Sequence, residues 1–275
     1  MRIISDSSCD ILTLEDAEFA AVPLEIYTDE RRFVDDDNID VHELLDYLEK
    51  YNGRSYTACP GTQRWVDAFQ DSEEIYVVTM TSGLSGTFNS AQAAKKMYLE
   101  THPGAKILIV DTLSTSAEQL LVIEKIRDLK KEGKNFEEVE KEISAYLRKT
   151  HLFFAFESLH NFAQNGRVPK LLAQAIGVLG ISIIGTASEE GKVESIGKCR
   201  GKKKVIANLM TQLLNAGYTG GKVNVTHVEN KELAEAFREK LMEKFPLAEV
   251  AIRPARGLVA YYGERGGMIV GCECT

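Results

Sequence analysis

The stretch "VTMTSGLSGTFNSAQAAKK", residues 78–96, runs an apolar strand into a row of hydrogen-bonding side chains and then into a helix. Ser82, Ser85, Thr87, Asn89 and Ser90 supply the hydroxyls and amide, with Gly83 and Gly86 between them. Such a row could cap a helix, hold an anion or carry a nucleophile. Capping needs one Ser or Thr, and this row exceeds that need. Beyond the carboxyl end of a buried strand, the free amides of a helix N-terminus attract anions, and glycines let the backbone come close to a ligand. No Lys or Arg lies between Arg64 and Lys95, and neither a Walker lysine pattern nor a glycine-rich dinucleotide fingerprint is present. A monoanion such as a carboxylate therefore fits better than a phosphate.

The nucleophile reading rests on "GLSGT", residues 83–87, which comes near the G-x-S-x-G elbow of serine hydrolases. Thr87 stands where the last glycine of that elbow belongs. Of the histidines His42, His102, His151, His160 and His227, only His227, at a strand end, is placed to serve as a base. A serine-dependent hydrolase or transferase using Ser85 or Ser82 is thus the alternative enzyme class. Two further strand ends carry polar residues. "DSSCD", residues 6–10, suits either a metal or substrate hydroxyl or a turn cap. "SYTACPG", residues 55–61, ends a short strand at Thr57, with Pro60 preventing its continuation.

The elements that position these residues alternate. "RIIS", "AAVPLEIYT", "IYVVTM" and "KILIVDT" read as strands, and "VHELLDYLEKY", "AQAAKKMYLE" and "SAEQLLVIEKIRDLKKEG" as helices, the last stopped by Gly133. Near-continuous apolar strands alternating with helices predict a largely parallel sheet flanked by helices. "NFEEVEKEISAYLRKT" adds a helix capped by Asn135. From "HLFFAFES" onward the pattern changes. "ISIIGTASEEGKVESIGKC" reads as two strands turning at Glu189–Gly191, "KVNVTHV", "AEVAIRP", "LVAYYG" and "MIVGCE" as short strands, with helices near 201–216 and 230–244. The fold class is therefore α/β, with an N-terminal domain at 1–150 and a C-terminal α+β domain at 151–275.

Composition narrows the function classes. A chain of 275 residues with 44% hydrophobic side chains buries a sizeable core, and a formal net charge of −8 argues against a nucleic-acid surface. The basic run "GKCRGKKK", residues 197–204, is the local exception, a solvated turn or a phosphate or partner patch. Cys9, Cys59, Cys199, Cys272 and Cys274 form no CxxC pair or His-spaced metal pattern, which suggests a reducing cytoplasm, with no metal and no cofactor. No secretory leader or transmembrane segment is expected.

Taken in order, "DSSCD", "VPLEI", "TACPG", "TSGLSGTFNSA", "IVDT", "LHNFAQNGRV" and "KCRGKKK" resemble the DegV family, bacterial lipid-binding proteins whose characterised members are fatty-acid-binding subunits of fatty acid kinase. The resemblance covers nearly the whole chain. "SGLSGTFNSA" is its most specific part. Where the family commonly writes TSQPS, this chain has Thr57-Ala58-Cys59-Pro60-Gly61. The resemblance implies a buried long-chain fatty acid as ligand, presented to a kinase subunit as partner, with no catalysis by this chain. Its carboxylate would be held by Thr57 and Ser85, with Ser82 competing and the Gly86 amide and Asn89 completing the shell. Arg167 in "NGRV" and Arg200 in "KCRG" match family arginines that resemble phosphate-handling or kinase-docking groups. Many members carry a C-terminal histidine in an HTGPG-like segment, where this chain has "LVAYYGERGG" with Tyr261 and Tyr262. A tyrosine donates a hydrogen bond but does not titrate near neutral pH. The apolar run "LLAQAIGVLGISIIG", residues 171–185, is the expected donor of tunnel wall or of core between domains.

Overall fold

The computed structural model describes residues 1–169 and 180–274. Its first sheet is all parallel, in the order β2 (Phe19–Val22), β1 (Arg2–Asp6), β6 (Glu74–Thr79), β7 (Lys106–Asp111). Successive residues of a strand point to opposite faces. Ile3, Tyr76 and Val78 accordingly pack under α4 (Ser116–Lys131) and α5 (Phe136–Tyr146). Ile4, Ile75 and Val77 pack under α2 (Thr62–Phe69) and α3 (Thr87–Thr101). Asn135 caps α5 in a reciprocal box with Glu138.

The second sheet is mixed and begins only at residue 150. Its order is β10 (Val193–Arg200), β9 (Ile181–Ala187), β8 (Thr150–Phe156), β13 (Met268–Glu273), β11 (Val223–His227), β12 (Val250–Pro254). One face, with Phe153, Ala155 and Val270, is covered by α7 (Lys202–Asn215) and α8 (Lys231–Lys244). The alternate residues Leu152, Phe154, Phe156 and Ile269 point the other way, toward the N-terminal half. Each large apolar side chain removed from water contributes about 1.5–3 kcal/mol, so both faces stabilise the sheet.

Two expectations change. "AAVPLEIYT" is not one strand: Pro23 lacks the amide to continue the ladder, and the chain leaves β2 to start β3 (Glu25–Tyr27) in a separate sheet. That small antiparallel sheet has the order β4 (Arg32–Val34), β3, β5 (Tyr56–Ala58), with α1 (Val41–Lys50) packed on it through Ile26 and Leu44. "LVAYYG" is not a strand but α9 (Gly257–Gly263). Its first amides, Gly257 N and Leu258 N, donate to the buried Asp35 carboxylate at 2.9 and 3.0 Å, and this cap favours the helix. Of the tunnel-wall run 171–185, residues 171–179 lie outside the described residues, while Ile183 packs with Leu152 and Phe154. Among the described residues no helix is long and apolar enough to cross a membrane.

Candidate functional site

A narrow cavity lies between the two sheets, where the carboxyl ends of β6 and β7 meet the inward face of β8 and β13. About 800 Å³ of space lies between its walls, counting solvent at the mouth. Leu152, Phe154, Phe156 and Ile269 from the second sheet, Phe162 from α6 (His160–Gln164), and Leu24 and Met80 from the first half make it mostly apolar. Leu258, Val259 and Tyr262 close it from α9.

Four of the residues singled out from sequence meet at this cavity: Thr57, Ser85, Arg167 and Tyr262. Thr57, at the centre of β5, sits with its Oγ1 2.8 Å from the Tyr262 hydroxyl. Burial pushes the Tyr262 phenol up, against the Thr57 hydrogen bond and the Arg167 charge, so the phenol keeps its proton and remains a donor. Ser85 lies just before α3, its Oγ 2.7 Å from Thr87 Oγ1. Arg167 donates through Nε to Leu84 O at 3.1 Å and through Nη1 to Asn165 O at 2.5 Å. These backbone bonds fix the guanidinium beside the serine loop, and its Nη2 has no partner among the described residues.

The other candidates lie apart. Ser82 has an exposed side chain and donates its amide to Asp111 Oδ1 at 3.1 Å. Gly86 is the exposed N-cap of α3, and Asn89 is exposed in its first turn. Tyr261, 0% exposed, lies behind the cavity, with its hydroxyl 2.8 Å from both Ser55 Oγ and Asn165 Nδ2 and its ring edge-on to Tyr262. Arg200 is exposed at the end of β10, paired in register with Ile181. His227 is buried at the end of β11, its Nδ1 accepting from Asn230 N at 3.3 Å, and burial pushes its pKa down. Among the described residues no histidine lines the cavity, which leaves Ser85 without the base that the hydrolase alternative needs.

The frame around the site is polar and buried. Asp6 of "DSSCD" caps the 3₁₀ turn Ser7–Cys9, accepting from Ser8 N at 3.1 Å, and reaches across to accept from Met80 N at 2.7 Å. Asp10 accepts from Arg256 N and the Ser116 hydroxyl at 2.7 and 2.5 Å, and burial pushes its carboxyl up to about 7. Asp6 thus joins the ends of β1 and β6, and Asp10 ties the turn after β1 to the segment that starts α9. Among the described residues no cluster of His, Cys, Asp and Glu suits a metal ion.

Two features of the site were not read from sequence. The serine loop is bare of cations only along the chain, because Arg167 reaches it from the second half. Gly83 serves a neighbouring loop: a Cβ there would sit 2.3 Å from Glu190 O. The β9–β10 turn presses on the loop at this point, with Gly191 at φ +69° and its carbonyl accepting from Thr81 Oγ1 at 2.9 Å. The aromatic wall was legible in the alternation of "HLFFAF", whose even-numbered members Leu152, Phe154 and Phe156 face the cavity.

A family model described as "Uncharacterised protein, DegV family" matches residues 1–269. A DegV domain-containing protein of Streptococcus pneumoniae is 38% identical over 276 aligned residues, covering 99% of this chain and 98% of its own. Among solved structures, a DegV family protein from Eubacterium eligens loaded with heptadecanoic acid superposes with a TM-score of 0.99 at 50% identity, over 100% of both chains. The Streptococcus pneumoniae Fatty Acid Kinase (Fak) B3 protein loaded with linoleic acid gives a TM-score of 0.97 at 38% identity, over 100% of this chain and 99% of its own.

Proposed function

This chain belongs to the DegV family, and on that premise we propose that it binds a long-chain fatty acid in the cavity between its sheets and presents the carboxylate to a partner kinase subunit. The observation that carries this reading is the asymmetry of the cavity. Thr57, Ser85, Tyr262 and Arg167 supply donors, while the wall from β8, β13 and α6 is aromatic and aliphatic. A carboxylate only accepts hydrogen bonds, so donors at one place and hydrocarbon elsewhere match an amphiphile with one acidic head. Each methylene buried contributes about 0.8 kcal/mol, which makes the tail the main source of affinity and the head the source of orientation.

In this arrangement Tyr262 donates to Thr57, and Thr57 and Ser85 donate to the carboxylate. Arg167 balances its charge. Ser82, Gly86 and Asn89 are exposed around the serine loop, where a partner would approach, and Arg200 offers a contact on the exposed sheet edge. The division into residues 1–150 and 151–275 fits this role, since each half supplies one wall. The protein acts without catalysis or cofactor of its own, in the cytoplasm.

Mass spectrometry of lipid extracted from natively purified protein tests the reading, with a fatty acid in near-stoichiometric amount expected. Absence of lipid, together with no rise in melting temperature on adding fatty acid, would overturn it.

A further inference from the structure

The cavity has a second polar region that the head group does not use. Strands β6 and β7 are neighbours, so the loop after β7 runs beside the serine loop after β6, and its Ser114 and Thr115 also line the cavity. Ser114 is 3% exposed. Its backbone is committed: the carbonyl accepts from Thr81 N at 2.7 Å and Thr112 Oγ1 at 3.2 Å, and the amide donates to Thr112 Oγ1 at 3.3 Å. Its hydroxyl has no hydrogen-bond partner among the described residues. Thr115 occupies the N-cap position of the sixteen-residue α4, yet its side chain does not close on the helix. Two hydroxyls at the start of α4 thus border a cavity whose neighbouring wall, where Ala117 packs with Leu152 and Phe154, is apolar.

A buried hydroxyl without a partner is unfavourable, and one that lines a ligand cavity can be matched by what the cavity holds. The nearest polar groups do not settle it. Glu118 lies close enough for Ser114 and Thr150 to draw its pKa down against burial, but burial dominates and keeps the carboxyl raised, and neither hydroxyl makes a well-directed bond to it.

We propose that Ser114 and Thr115 form a subsite for an oxygen carried on the acyl chain, so that the ligands of this protein include hydroxylated long-chain fatty acids. This rests on the reading of the cavity as a fatty-acid site. The subsite lies one strand away from the Thr57–Ser85–Tyr262 donors, so its oxygen belongs to the chain and not to the carboxylate. Orientation follows from two fixed points, the head at one and the hydroxyl at the other, and an acyl chain without the hydroxyl leaves Ser114 unmatched or paired with water.

The test is displacement of bound cis-parinaric acid by stearate and by hydroxystearates with the hydroxyl at carbons 2 through 12. At least one isomer should bind roughly fivefold more tightly than stearate, the size of one net hydrogen bond. Ser114→Ala should bring that ratio to one, whereas Thr57→Ala should weaken stearate and isomer alike and keep the ratio. Because the readout is a ratio within each protein, a general loss of stability does not imitate it. Isomers that all bind no better than stearate would show that an ordered water suffices at Ser114, and a ratio that survives Ser114→Ala would place the selectivity elsewhere; either overturns the subsite alone. If parinaric acid and stearate do not bind at all, the fatty-acid reading falls and this inference with it.

Discussion

The Tyr262 hydroxyl lies 2.8 Å from Thr57 Oγ1, joining α9 of the C-terminal half to β5 of the N-terminal half in the wall of the cavity. A threonine hydroxyl can accept one hydrogen bond while donating another. With a carboxylate present, the proton of Thr57 turns to the ligand and Tyr262 donates behind it, and hydrogen bonds in such a chain strengthen one another. Tyr262→Phe keeps the ring that packs tilted against Phe162, 4.6 Å between centroids, and removes only the hydroxyl. Fatty-acid affinity should fall roughly 2- to 10-fold, the range of one net hydrogen bond. Isothermal titration of delipidated protein with oleate measures this, and an unchanged affinity would remove Tyr262 from the head-group chain.

Ser85 should behave as a donor and not as a nucleophile. Its hydroxyl is 2.7 Å from Thr87 Oγ1, no histidine among the described residues lines the cavity, and the buried His227 accepts from the Asn230 amide. A fluorophosphonate probe, which labels serines activated by a base, should leave the protein unlabelled under conditions that label a serine hydrolase control. Stoichiometric labelling lost in Ser85→Ala would restore the enzyme reading.

Asp10 predicts a pH dependence with a definite sign. Its carboxyl is pushed up to about 7 by burial, which outweighs the Arg256 amide, the Ser116 hydroxyl and the Arg256 charge and is reinforced by Asp35. In the unfolded chain the group titrates near ~3.9. Below that value the group is protonated in both states and its contribution to stability is fully present. As the pH rises from about 4 to about 7 the unfolded chain gives up the proton first, and this contribution is lost. Asp10→Asn abolishes the titration. The melting temperature of Asp10→Asn minus that of the wild type should therefore rise between pH 4.5 and pH 7.5. A difference that stays flat would place the Asp10 carboxyl near its ordinary value in the folded protein.

The parts of this molecule legible in sequence are those fixed by local periodicity. Ile3, Ile4, Val77 and Val78 lie in apolar runs long enough to specify strands buried on both faces, and the helices between them make the parallel sheet nearly unavoidable. Residues 258–263 were misread because six apolar and small residues suit a strand or a helix equally. The group that decides between them, Asp35, is more than two hundred positions away. The head-group end shows the same limit. Ser85 announces itself by its place after a strand, whereas Thr57, at the centre of β5, is reached only through the family resemblance, and Arg167 enters the cavity through bonds to Leu84 O and Asn165 O that no spacing rule foretells. A count of cations along residues 64–95 thus described the loop correctly and the site incompletely.

Gly83 is a glycine because the β9–β10 hairpin leaves no room there for a side chain. The Glu190 carbonyl occupies the space a Cβ would need, at 2.3 Å, and a backbone atom cannot swing aside as a side chain can. The turn is held from the other side as well: Thr81 Oγ1 donates to Gly191 O at 2.9 Å and accepts from Gly83 N at 3.0 Å. Gly83→Ala must therefore lift the β9–β10 turn, and with it Thr186, Ala187 and Lys192, which wall the cavity. Overpacking of this kind costs about 1–3 kcal/mol, a fall of roughly 2–10 °C in melting temperature. Loosening a wall should also speed ligand release more than ligand capture, since most affinity change resides in the off-rate. Stopped-flow transfer of a fluorescent fatty acid from Gly83→Ala to an acceptor vesicle should be faster than from the wild type. Equal melting temperatures and equal release rates would mean that the turn moves without strain and does not gate the cavity.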